Sequence, residues 1–495
     1  MPPSPKIINP SKTATTTPST AATTTTTNGS TGSGHSMAGQ SDKVFNKIAI
    51  ITSFSYVSSL LTIYMLINDE VPQPYMDEIF HVQQVQSYCV HNFTHWNPKI
   101  TTPPGLYLTT WALFKPMSEL IAFGEDDPTR KCPVQMVRFI NLLFAFANVY
   151  LMYSITISNY RSPSRIIKVR ALFSSVSLSA FPPLFFFNFL YYTDAGSLFL
   201  ILTMYLAHIN GHVHLAAVFG FLSLFYRQTN IVWVCFLATH SALKMIFQSN
   251  LRDFRSKKKL KLLTSSISTL PRVLFNLIGY VVVGILFCVF IFYNKGIVLG
   301  DKSAHQATFH AAQLVYFSYF MSFFAAPWIL ESSNLQSFAV FCYKRSLNII
   351  LTLIALGLLL MHQKSPHPYL LADNRHYTFY IWRRLFGNTS SIIRYALLPM
   401  CCLTLWSLIN LGKNTFFQCL FIIFTTISIV PQALIEFRYF IPAFVVWRLT
   451  ININSSFSLA LEFALNIFVN IVTIYIFLYH PYKWTNSREL QRFMW

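Results

Sequence analysis

Charge is scarce in this 495-residue chain, and lopsided where it occurs. Only 11% of residues are charged, with 17 Asp and Glu against 37 Lys and Arg. Soluble domains carry about 25% charged residues, so a chain that is 53% hydrophobic cannot keep a water-facing surface. A soluble enzyme is excluded. The eight cysteines include no CxxC pair, which argues against a zinc or redox motif. Residues 11 to 34 form a Thr/Ser/Gly tract with too little apolar surface to offset the entropy of ordering, so 1–43 is read as a disordered tail. Nothing before residue 44 has the apolar core of a signal peptide, so the first hydrophobic stretch is expected to remain as an anchor. The formal charge of +20 comes with no helix-turn-helix, zinc-finger or RNA-recognition pattern, so it is not a nucleic-acid footprint.

What the chain has in abundance is apolar runs, with 47 Phe and 25 Tyr. A span needs about 20 mostly apolar residues. That ruler gives candidates near 46–67, 134–157, 171–190, 193–209, 212–226, 229–248, 272–293, 308–330, 346–362, 390–410, 415–431, 438–451 and 457–479. The expectation is an all-α integral membrane protein, a polytopic bundle of about 12–14 helices. The 103–123 segment, with Lys115, Glu119 and its opening prolines, suits an interfacial or re-entrant helix better.

Two basic loops set the orientation. Arg161, Arg165, Lys168 and Arg170 form one, and Arg252, Arg255, Lys257, Lys258, Lys259 and Lys261 the other; both are expected to be cytoplasmic. The 68–133 loop then falls on the opposite face with eight of the 17 acidic residues. The same count puts Tyr192-Thr193-Asp194, residues 226–230, the 363–389 loop and residues 436–439 beside it. One active face is expected. Asn92 and Asn388 are the sequons on that face, and a Cys89–Cys132 disulfide within the first loop suits an oxidising compartment.

Four stretches could carry chemistry. In Tyr75–Gln84, helical spacing puts Asp77, His81 and Gln84 on one polar face, where a partly desolvated carboxylate gains basicity; the bland alternative is a solvated interfacial helix. Trp96–Tyr107 contains Pro103-Pro104-Gly105 and reads as a rigid turn feeding a helix. His367–Tyr377 brings His367, Tyr369, Arg375 and His376, a set suited to an anionic lipid headgroup, or simply to anchoring at the membrane interface. Glu436–Pro442 sets Glu436 beside Arg438, either a functional cation or a mutual ion pair. A membrane enzyme acting on a lipid-linked substrate and a multi-span transporter, or a channel-regulating protein without transferase activity, are both compatible with this composition. The lack of internal duplication and the gathering of polar motifs on one face favour the enzyme.

These motifs, with Phe225–Asn230 and Gln491–Trp495, resemble the endoplasmic-reticulum alpha-1,2-glucosyltransferase family that uses dolichyl-phosphate-glucose to add the terminal glucose to the lipid-linked oligosaccharide. The likeness runs from about residue 44 to 495 and rests on two long strings, Met-Asp-Glu-Ile-Phe-His and His-Pro-Tyr-Leu-Leu-Ala-Asp-Asn-Arg-His-Tyr. The Thr-rich head and the 252–261 and 295–310 loops lie outside it. The resemblance implies a GT-C-like domain over 44–495, in the endoplasmic-reticulum membrane, with a lumenal active site. It further implies a catalytic carboxylate in the first loop, for which Asp77 is the first choice and Glu78 the second. His81 is expected to orient the base. Arg375, His376 and Arg438, with His367, Tyr369 and Arg227, are expected to bind the donor phosphate and dolichol. The implied chemistry is an inverting single displacement needing no metal or cofactor, with dolichyl-phosphate-glucose and the diglucosylated oligosaccharide on dolichyl diphosphate as partners.

Overall fold

A computed structural model describes residues 33–121, 127–249, 259–302, 308–361, 373–386, 391–432, 434–485 and 489–495. His367, Tyr369, the Asn388 sequon, the Thr-rich tract before residue 33 and most of the 252–261 basic loop lie outside the described residues.

The chain is helical almost throughout, a polytopic all-α membrane protein. Strand pairing among the described residues is limited to Tyr482–Lys483 against Leu490–Gln491 and two isolated bridges. Nearly every expected span is helix, yet among the described residues only five are long and apolar enough to cross a membrane unbroken: Val44–Glu70, Pro128–Ser158, Gln228–Ser249, Ile392–Asn410 and Ser456–Tyr479. Two more arise if the bent pairs Ile267–Asn276 with Ile278–Asn294 and Ser332–Lys344 with Ser346–Met361 each count as one. Of the about 12–14 helices expected, five to seven meet that length and apolarity among the described residues, and the other apolar stretches form shorter or broken helices.

The breaks have physical causes. The expected 171–190 span ends as the Arg165–Ser179 helix and restarts at Pro182-Pro183, whose rings and missing N–H groups cannot continue the earlier helix. Backbone freed at such breaks must find partners inside the protein. Asn470 donates to the Ala180 carbonyl at 2.7 Å and Asn466 to that of Ser177 at 2.9 Å, both from the Ser456–Tyr479 helix. Asn141, inside the Val134–Ser158 helix, donates to the carbonyls of Leu190 and Tyr192. Asn141 thus holds a non-helical 188–193 strip deep in the protein, buried at every residue.

A phenylalanine-rich core surrounds that strip. Phe181 stacks on Phe444 at 4.1 Å between ring centroids, and Phe320 and Phe324 pack edgewise on Phe181. A smaller core, built from Val82, Val85, Tyr88, Leu106, Tyr107, Val137 and Ile140, binds the first loop to the bundle. Cys89 and Cys132 form the disulfide that clips this loop to the start of the Val134–Ser158 helix. The 103–123 segment is the Gly105–Ile121 helix, packed on Glu78–Cys89. Gly105 is required where it stands: its N–H donates to the Phe225 carbonyl at 2.7 Å, and a Cβ would lie 2.5 Å from that oxygen.

Candidate active site

Asp77 immediately precedes the Glu78–Cys89 helix without a side-chain capping bond, and its side chain is 51% exposed. The next residue is its opposite. Glu78 is completely buried and accepts from Arg138 Nε at 2.8 Å, Arg138 Nη2 at 2.7 Å, Tyr191 N at 2.7 Å and Tyr75 N at 3.0 Å. Arg138, itself fully buried, spends its other donors on Asn68 Oδ1 and the carbonyls of Val71 and Gln73. Both Glu78 oxygens are therefore engaged. These bonds tie Glu78, the second-choice base of the sequence reading, into the start of the helix next to Asp77. Sequence reasoning missed Arg138, although it is the sole charged residue in the 134–157 apolar run, which is the signal that a buried partner exists.

Around Asp77 the polar junctions converge. Arg438, in the short Phe437–Phe440 turn, reaches Glu436 at 2.8 Å and Asp77 at 3.5 Å, with its guanidinium 5.3 Å from the ring centroids of both Phe187 and Tyr192. Arg227 pairs with Asp194 at 2.9 Å and donates to Thr193 Oγ1 at 3.1 Å. Asp194, almost wholly buried and with Oδ2 lacking a hydrogen-bond partner, belongs to the cluster though only its junction was legible in sequence. Burial pulls the Arg438 pKa down, but the carboxylates of Glu436, Asp194 and Asp77 outweigh it and hold the pKa well above the ordinary value.

His81 donates to or accepts from the Tyr107 hydroxyl at 2.6 Å and sits edgewise to Tyr192. Its pKa is pushed down to about 4, chiefly by burial; Asp77 opposes that, and the positive charges of Arg438 and Arg227 add to it. His81 is therefore neutral at ordinary pH. Gln84 departs from the expected polar face: it is buried, donating to the His95 carbonyl and accepting from Asn97 N, so it ties in the Trp96 turn instead of serving the site.

Arg375 and His376 lie in a neighbouring scaffold and are already engaged. Asp373 accepts from Arg375 Nε and Nη2, Gln491 accepts from Nη1, and the guanidinium lies 4.8 Å from the Trp484 ring centroid. His376 Nδ1 is 3.0 Å from the Trp495 oxygen, and its backbone bridges to Met494. The C-terminal segment stitches this loop to the first: Tyr75 hydroxyl and Arg492 backbone exchange bonds of 2.8 and 2.7 Å, while Trp495 packs on Phe324, Tyr377 and Phe437. Sequence alone had no way to assign that tail a structural role. Among the described residues no three His, Cys, Asp or Glu side chains group as metal ligands.

The arrangement is a half-exposed carboxylate beside a buried cation, a neutral imidazole and aromatic faces. It can accept a proton and stabilise an anion within one small volume. A family model described as the DIE2/ALG10 family matches residues 71–449. A human protein named Dol-P-Glc:Glc(2)Man(9)GlcNAc(2)-PP-Dol alpha-1,2-glucosyltransferase is 37% identical over 445 residues, covering 86% of this chain and 93% of its own. Proteins of the same name from Arabidopsis thaliana, 34% identical over 89% of this chain and 98% of theirs, and from Candida albicans, 32% identical over 88% and 98%, also match. No solved structure matches.

Proposed function

The chain belongs to the DIE2/ALG10 family, and from that membership we propose the reaction and the roles of its site residues. It is a dolichyl-phosphate-glucose-dependent alpha-1,2-glucosyltransferase that adds the third, terminal glucose to the diglucosylated oligosaccharide on dolichyl diphosphate. The compartment is the lumenal face of the endoplasmic-reticulum membrane, and the domain is GT-C-like; the basic loops and the Cys89–Cys132 disulfide support that orientation.

Asp77 is the general base. It takes the proton of the acceptor glucose 2-hydroxyl as that oxygen bonds to the donor C1; the C1–O bond to phosphate breaks, and dolichyl phosphate leaves from the opposite face with the electron pair. A beta-linked donor thereby gives an alpha product. The observation that carries this assignment is the contrast between neighbours: Asp77 is half exposed with one long contact, while Glu78 is sealed by four hydrogen bonds. Arg438 stabilises the charge that develops on the leaving phosphate, in a position where water is largely excluded. Its present contact with Asp77 gives the two roles a link, because a phosphate entering beside Arg438 displaces that contact and frees the carboxylate to take a proton. Neutral His81, held by Tyr107, orients the base. Arg227 with Asp194 shapes the floor, and Arg375 and His376 hold the donor-side loop.

Purified protein given dolichyl-phosphate-glucose and the diglucosylated lipid-linked acceptor should yield one added hexose, removable by an alpha-1,2-specific glucosidase. Movement of glucose or ions across vesicles without transfer would reject the enzyme reading.

A further inference from the structure

A second built feature lies at the other end of the bundle. The Arg165–Ser179 helix packs against both the Ser33–Glu70 and Ser456–Tyr479 helices, and a cleft of about 390 Å³ opens between them. Its lining is Ile48, Arg165, Ile166, Val169, Arg170 and Ser456. Arg170 Nε donates to Ser456 Oγ at 3.1 Å, which fixes the guanidinium against the wall while its terminal nitrogens carry no bond to a described residue. Among the described residues no carboxylate pairs with Arg161, Arg165, Lys168 or Arg170, unlike Arg227 or Arg438, which each face one.

Depth and distance define what fits. Ile48 lies near the start of the Val44–Glu70 span and Ser456 begins the Ser456–Tyr479 span, so the cleft opens at headgroup level. The 24-residue Ser456–Tyr479 helix is about 36 Å long at ~1.5 Å per residue, and its other end, at Phe477 and Leu478, is the one bonded by Arg492 beside the candidate active site. The cleft is therefore about one membrane thickness from Asp77 and is not part of the donor or acceptor site. Two arginine forks facing three aliphatic side chains match a phosphodiester bearing acyl chains: the forks bond phosphate oxygens, and Ile48, Ile166 and Val169 cover the first methylenes.

We propose that this cleft binds the headgroup of an anionic phospholipid from the surrounding leaflet. The full chain would be reconstituted in nanodiscs of phosphatidylcholine with a minor fraction of phosphatidylserine or phosphatidylinositol, and retained lipid counted by native mass spectrometry. The wild type should retain anionic lipid preferentially, and inorganic phosphate should not displace it. Arg165→Gln with Arg170→Gln should weaken retention about tenfold or more, taking roughly fivefold per cation at the surface. Arg161→Gln with Lys168→Gln removes the same charge from the same basic segment but from outside the cleft, and should leave most retention in place. Equal loss in both pairs would show that the loop acts only through diffuse charge and overturn the proposal. So would loss in neither pair, or full displacement by inorganic phosphate.

Discussion

Replacing Glu78 with Gln and Asp77 with Asn changes neighbouring carboxylates by the same chemistry, yet the two variants should fail in different ways. Glu78→Gln removes the charge that compensates Arg138, a guanidinium with no exposure at all. Breaking one side of a buried ion pair costs about 3–5 kcal/mol. An amide also offers a single acceptor oxygen where the carboxylate now serves Arg138, Tyr191 and Tyr75 through two, so one backbone donor is orphaned as well. Against a total stability of about 5–15 kcal/mol, that loss is severe. The expected result is low yield, aggregation on size exclusion and a large fall in Tm, with transfer activity falling only in proportion to folded protein. Replacing Arg138 with Gln in the same chain should restore part of the yield, because the stranded charge is then gone.

Asp77→Asn should do the reverse. Its side chain makes one 3.5 Å contact and is half in solvent, so Tm should move little. Removing a general base costs about 10²–10⁴-fold in rate. The assay is turnover per folded molecule with both lipid-linked substrates saturating, beside a melt in the same detergent. A Glu78→Gln protein that melts like wild type yet turns over as slowly as Asp77→Asn would refute the division of roles between anchor and base.

The other expectations test the same site from its edges. Arg438→Lys keeps the charge but loses the fork, and should lower kcat by about tenfold or more; Asp77→Asn should bind donor at least as tightly as wild type, since a phosphate no longer competes with Asp77 for Arg438. Weakened donor binding in titrations of that variant would break the proposed link. With the His81 pKa at about 4 against 6.5 for an ordinary histidine, the unfolded chain binds more protons between those values, so the stability from neutral His81 is complete above about pH 6.5 and is lost as pH falls towards 4. A transfer rate that steps near pH 6.5 in wild type but not in His81→Gln would contradict this. Cys89→Ser should cost about 2–4 kcal/mol of stability, read as a lower Tm than wild type under non-reducing conditions. Asn92 is exposed, with Oδ1 taking the Thr94 hydroxyl at 3.0 Å; on the proposed sidedness it carries a glycan, seen as an endoglycosidase-sensitive mass that Asn92→Gln removes. A wild-type chain with no such mass would place the first loop on the cytoplasmic face.

How much of this could be read from the sequence depends on the range of the interaction concerned. The helix beginning at Glu78, the proximity of Asp77 to His81 and the rigid turn before Gly105 all follow from residues a few positions apart, where spacing and proline chemistry decide the outcome. The convergence of four polar junctions was legible through charge asymmetry, because short loops on one face of a bundle have little choice but to meet. The breaks within spans were not. A hydropathy window averages over Ala180 and the 188–193 strip, and cannot register that Asn470 or Asn141, distant in sequence, supplies the bonds that make irregular backbone tolerable at depth. Glu78 shows the same limit at the site: beside Asp77 it reads as a second candidate base, and its burial against Arg138, 60 residues away, is not legible from its neighbours.

The excess of positive charge likewise separates into two populations once partners are known. Arg138, Arg227, Arg375, Arg438 and Arg448 each face a carboxylate, so these five contribute almost nothing to the formal +20. Around Asp77 the balance is even inverted: Asp77, Asp194 and Glu436 outnumber Arg227 and Arg438, and His81 is neutral. A donor phosphate therefore meets no general positive field there. It gains only by taking over a specific contact, and the weakest one Arg438 makes is that to Asp77. On the proposed roles, such a site favours a bound lipid phosphate at the one moment its arrival also releases the base, which a strongly cationic pocket could not do. At the far end of the bundle, by contrast, Arg161, Arg165, Lys168 and Arg170 pair with no described carboxylate, and there an anionic leaflet can meet them.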